Sequence, residues 1–87
     1  MAVVSDRAGD RYLAKLARGS VARTPLDIAE LVISSKAGIV VLTGKVKRPR
    51  GYNGDLNVRK EFENIKLMIR SMHGVRDIAA ESVIIYD

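Results

Sequence analysis

The sequence predicts a two-layer α+β domain of order α-β-β-α-β, a three-stranded mixed sheet carrying two helices. Three observations predict it. Apolar residues recur at helical spacing near the amino terminus and again between about 56 and 72, and at alternate positions in the stretches between and after. Glycine and proline mark each change of period, at Gly19, Pro25, Gly38, the 47–55 stretch and Gly74. Finally, 87 residues with 47% apolar and 29% charged side chains suffice for one domain, 1–87, and are too apolar for a disordered chain.

The first helix is expected from Ser5 to Arg18, with its firmest part from Asp10, where Tyr12, Leu13, Leu16 and Ala17 fall at helical spacing. Asp6 or Asp10 can cap it and Gly19 stop it. Ser20 to Pro25 is a connector, since Pro25 cannot continue a helix. From Asp27 the period becomes two, with Leu31 and Ile33 alternating with Val32 and Ser34. Ser35-Lys36-Ala37-Gly38 is turn material, and Ile39 to Val46 makes the second strand of a hairpin.

Lys47 to Asp55 holds a proline and two glycines and reads as loop. An amphipathic helix follows from about Leu56 to Met72, with Val58, Phe62, Ile65, Leu67, Met68, Ile69 and Met72 as its apolar residues. Asp55 or Asn57 can cap it, Arg59 stands one turn before Glu63, and His73-Gly74 ends it. The last strand runs from Val75 or Arg76 to Tyr86 and should lie parallel to the second, because a helix connects them.

Gly38-Ile39-Val40-Val41-Leu42-Thr43-Gly44-Lys45-Val46 resembles the G-x-V-x-L-x-G-x-V signature of the BON family, small domains of bacterial osmotically inducible and envelope-associated proteins. Leu31 and Ile33 stand where that family places alternating apolar residues. Gly74-Val75-Arg76-Asp77-Ile78 is similar to its helix-ending Gly-Val-x-x-Val, with Ser82 and Ile84 continuing the alternation. The similarity covers about residues 27–84, with Gly38, Gly44 and Gly74 as its structural glycines. It implies an αββαβ fold and a non-catalytic module of osmotic or envelope stress that contacts phospholipid or protein. Two features depart from the family pattern: a basic loop at 47–55 replaces a short connector, and neither an export signal nor a tandem copy is evident.

Catalysis finds little to use. The chain has no cysteine, hence no disulfide, thiolate nucleophile or thiolate metal site. His73, the sole histidine, sits beside a helix-ending glycine, where the helix dipole favours it. Glu61 and Glu63 are two apart on a helix and point to different faces. The expectation is a protein without enzymatic activity, cofactor or metal.

Binding chemistry is better represented. The net charge of +5 favours anionic partners. Lys45, Lys47, Arg48 and Arg50, then Tyr52, Arg59 and Lys60, form the candidate anionic-surface site. On an acidic bilayer four such cations contribute about 4 kcal/mol, roughly millimolar attachment, which assists docking without anchoring. A nucleic acid is the rival ligand: Gly51-Tyr52-Asn53-Gly54 matches the GxxG loop of KH domains, but between a strand and a helix instead of two helices, and aromatic platforms are scarce. A solvated basic connector is the plainest reading of the same residues.

Strand parity supplies the second candidate site. Leu31, Ile33, Val40, Leu42, Val46, Ile78 and Ile84 should meet the second helix. The opposite parity, Val32, Ile39, Val41, Val83 and Ile85, is also apolar, and exposing these residues forgoes about 1.5–3 kcal/mol each. Either the first helix or the Val3-Val4 segment covers them, or they form an interface with a protein partner, a second copy in a homodimer, or lipid. With no apolar run near the length of a membrane span, a cytoplasmic location is expected, or a periplasmic one if an export signal has been removed.

Overall fold

A computed structural model describes residues 7–51 and 54–86. The order is α1 (Arg7–Val21), β1 (Leu31–Lys36), β2 (Ile39–Lys47), α2 (Val58–Arg70) and β3 (Asp77–Tyr86). The three strands form one mixed sheet in the order β1-β2-β3, with β1 antiparallel and β3 parallel to β2. The α+β fold and the αββαβ order expected from the sequence are those of the structure.

α1 runs past Gly19 to Val21, a turn beyond the expected stop. Ala17 and Val21 are fully buried one turn apart. Burying Val21 is worth about 1.5–3 kcal/mol, more than the roughly 1 kcal/mol that glycine costs in a helix. Asp10 lies inside this helix instead of capping it, while Asp6, Val3 and Val4 lie outside the described residues. The Arg18 guanidinium donates to the Leu31 carbonyl at 3.2 Å and ties the helix to the start of β1.

The connector is more ordered than its composition suggests. Leu26 is buried, and Asp27 and Lys47 exchange two backbone hydrogen bonds, 2.9 and 3.0 Å, that extend the β1–β2 ladder. Four steps from Asp27 to Leu31 oppose three from Lys47 to Gly44, so the chain bulges at 28–30. The hairpin turn is only Ala37-Gly38, both at positive φ (52° and 83°), the backbone that matches strand twist in a two-residue connection. β1 therefore includes Ser35 and Lys36, which the sequence reading gives to the turn.

Asn57 caps α2, its side-chain oxygen accepting from the Lys60 amide at 3.0 Å. The helix is shorter than expected, because Leu56 lies before the cap and Met72 after Ser71, the C-cap. Both still bury surface, Leu56 for the most part and Met72 partly against the core.

One hydrophobic core joins the layers. It takes Leu13, Ala17 and Val21 from α1, Val58, Phe62, Ile65 and Ile69 from α2, and Leu31, Ile33, Val40, Leu42 and Val46 from a single parity of β1 and β2. Both helices therefore lie on the same side of the sheet. α1 does not cover the opposite face.

β3 overturns part of the predicted parity. Val41 pairs with Ala79 but Thr43 with Ser82, so an extra residue sits in β3 at Ala80–Glu81. Side chains change faces across that irregularity. Val83 and Ile85, expected on the open face, pack against the core. Ile84, expected in the core, is 53% exposed. On α2, Leu67 and Met68 are likewise exposed, because the buried stripe of Val58, Phe62, Ile65 and Ile69 already fills the space against the sheet.

Candidate functional site

The face of the sheet turned away from the helices is the candidate site. β1 supplies Val32 and Ser34, β2 supplies Ile39, Val41, Thr43, Lys45 and Lys47, and β3 supplies Ile84 and Tyr86. Val32 is 55% and Ile39 40% exposed, and Val41 is half-buried. Three of the five predicted interface residues, Val32, Ile39 and Val41, thus share this surface. Ile84 and Tyr86 join them. The alternation on β3 before and after Ala80 is equally regular, so only the pairing register reveals the change of face.

One end of the face is polar and organised. Glu30 ends the bulge before β1, and its carboxylate pairs with the Lys47 ammonium and lies 3.9 Å from that of Lys45. Both ammonium groups stand 5.9 Å from the centre of the Tyr86 ring, a cation–π arrangement. The hydrogen bond from Lys47, then its charge, lowers the pKa of Glu30, and the same bond raises that of Lys47. Lys45 and Lys47 belong to β2, so the predicted basic loop does not hold all its cations together.

The remaining cations are placed elsewhere. Arg48 donates to the Leu56 carbonyl at 2.6 Å, spanning the loop and tethering the approach to α2. Arg50 is exposed. Arg59 and Lys60 stand on the first turn of α2 and border a shallow cleft with Arg48, Asp55 and Glu61. Tyr52 lies outside the described residues. The predicted anionic-surface set therefore divides into a strand pair facing Glu30 and a helix-start group mixed with carboxylates.

His73 is exposed after the C-cap of α2. Among the described residues, no three His, Asp or Glu side chains are grouped to hold a metal ion. No described helix is long and apolar enough to cross a membrane. No protein-family model, curated protein or solved structure matches this chain.

Proposed function

We propose that this chain is a non-catalytic binding module whose open sheet face receives a protein surface, in the first instance a second copy of itself. The observation that carries this reading is the placement of both helices on one side of the sheet, with Val32, Ile39, Val41 and Ile84 on the other. Covering what remains exposed of Val32, Ile39 and Ile84 contributes about 1 kcal/mol each.

Charge favours a protein over a polyanion. Glu30 pairs with Lys47 and lies near Lys45, so this end of the face carries both signs, whereas a phospholipid or nucleic-acid surface would call for cations alone. A face that carries both signs suits an isologous dimer, in which a residue away from the two-fold axis meets a different residue of its copy and the contact is made twice. At about 3.3 Å per residue along β2 and about 4.8 Å between strands, the face measures roughly 30 by 14 Å. That is roughly 400 Å² per copy in projection, about 800 Å² for the pair and below the range of stable specific interfaces, so weak, readily reversible association is expected.

Sedimentation velocity over a concentration series, at low and high salt, tests the proposal. Dimerisation that holds or strengthens with salt, and is lost in Val32→Lys combined with Ile84→Lys while the circular-dichroism spectrum is kept, supports it. A wild-type monomer at every concentration overturns the dimer. Steeply salt-sensitive binding to anionic vesicles or an oligonucleotide, unaffected by that double variant, overturns the docking face itself.

A further inference from the structure

The helical layer carries a second surface that the fold leaves unused. On α1 the apolar stripe Tyr12, Leu13, Leu16 and Ala17 is wider than the core consumes: Leu13 and Ala17 are buried, but Tyr12 is 64% and Leu16 41% exposed. On α2 Met68 is 46% exposed. These three side chains are brought together across a groove between the helices, bordered by Lys15, Gly19 and Arg23. Gly19 leaves room in it, since a Cβ there would meet nothing within 4 Å.

Charge distinguishes this groove from its neighbour. The cleft between α2 and β3 contains Glu63, Lys66, Arg70 and Glu81, with Glu63 and Lys66 paired at 2.7 Å, and is close to neutral. The α1–α2 groove is lined by two cations, and among the described residues no carboxylate lines it. Its floor is apolar and its rim basic.

We infer that this groove docks an amphipathic helix with an apolar stripe and acidic flanks, belonging to a protein partner. Two helices side by side leave a furrow that a third helix fills at the usual 8–10 Å separation, with anchors at i, i+3 or i+4 and i+7 meeting Tyr12, Leu16 and Met68. Glutamates beside those anchors reach Lys15 and Arg23 across the rim. The surface is separate from the open sheet face, so it does not depend on the dimer proposed above.

The test is fluorescence anisotropy of the full chain with two labelled helical peptides of about 18 residues, five turns. They share one leucine stripe and differ in carrying Glu or Lys at the flanking positions. The acidic peptide should bind at least about tenfold tighter than the basic one, since each tenfold step is about 1.4 kcal/mol and two cations contribute. Met68→Glu should weaken it about tenfold. Lys15→Glu combined with Arg23→Glu, two exposed positions that leave the core untouched, should reverse the preference to the basic peptide. Amide shifts on titration should map to residues near 12–23 and 68. Equal affinity for both peptides, an unchanged preference in the charge-reversed variant, or shifts centred on Val32 and Ile84 each overturn the inference. So does binding to phosphatidylglycerol vesicles through Lys15 and Arg23 with no binding of the acidic peptide.

Discussion

Gly44 packs directly against the backbone carbonyl of Glu30: at φ +101°, a Cβ built on it would run into that oxygen. The contact exists because the bulge at 28–30 turns the Glu30 carbonyl toward β2, where it accepts from the Lys45 amide at 3.1 Å. Gly44→Ala therefore meets a steric clash as well as the cost of a left-handed backbone. We expect a loss of about 2–4 kcal/mol in urea unfolding, with the slope of the transition unchanged.

Gly19 is the opposite case. It lies inside α1 with open space where its Cβ would be. Gly19→Ala should raise stability by about 0.5–1 kcal/mol in the same assay, through lower backbone entropy of the unfolded chain and better helix propensity. A destabilised Gly19→Ala would mean that α1 ends near Arg18, as the sequence alone suggests.

Much of the architecture follows from local pattern, and the exceptions have identifiable causes. The hairpin at Gly38, the Asn57 cap and the buried positions of β2 are local properties, set by turn chemistry and period. The length of α1 is not local. Val21 becomes worth including in the helix only because a core exists to receive it. Leu26 sits in a stretch bounded by proline and polar residues, and its burial depends on the Asp27–Lys47 pairing twenty residues away in sequence. Half of the open face is legible in the sequence: Val32, Ile39 and Val41 follow from parity, whereas the exchange of Val83 and Ile85 for Ile84 depends on where β3 slips against β2. The Glu30–Lys47–Tyr86 cluster joins three distant segments, and spacing alone gives no signal for it.

That cluster has a measurable electrostatic signature. The Lys47 hydrogen bond and charge hold the Glu30 carboxyl below its ordinary value of 4.5. Because the folded value is depressed, the pair contributes above the unfolded glutamate pKa and its contribution is lost as the pH falls through the folded one. For Lys47, raised above 10.5 chiefly by the same bond, the contribution is present below the unfolded value and lost as the pH rises through the folded one. Both groups are solvent-accessible, so the expected stability change is small and the titration itself is the better readout. Carbon-detected NMR should give Glu30 a midpoint below 4.5 in the wild type. Lys47→Met should move it back up toward that value. A midpoint unchanged by the substitution would show that the pair does not persist in solution.

The register shift at Ala80–Glu81 makes opposite predictions for adjacent residues. Ile85 packs against the core and Ile84 points away from it, although both are isoleucines in the same strand. Ile85→Ala removes methyl groups from a partly buried site and should cost about 1–3 kcal/mol, below the range for fully buried isoleucine. Ile84→Ala removes exposed surface and should fall within about 0.5 kcal/mol of the wild type. A strand without the extra residue would give the reverse order, with Ile84 costly and Ile85 neutral. Urea denaturation of the two single variants decides between them, and it decides at the same time which side chains the open face presents to a partner. If Ile84→Ala proves the costly one, Val83 and Ile85 return to the outer surface and take the places of Ile84 and Tyr86 on the docking face.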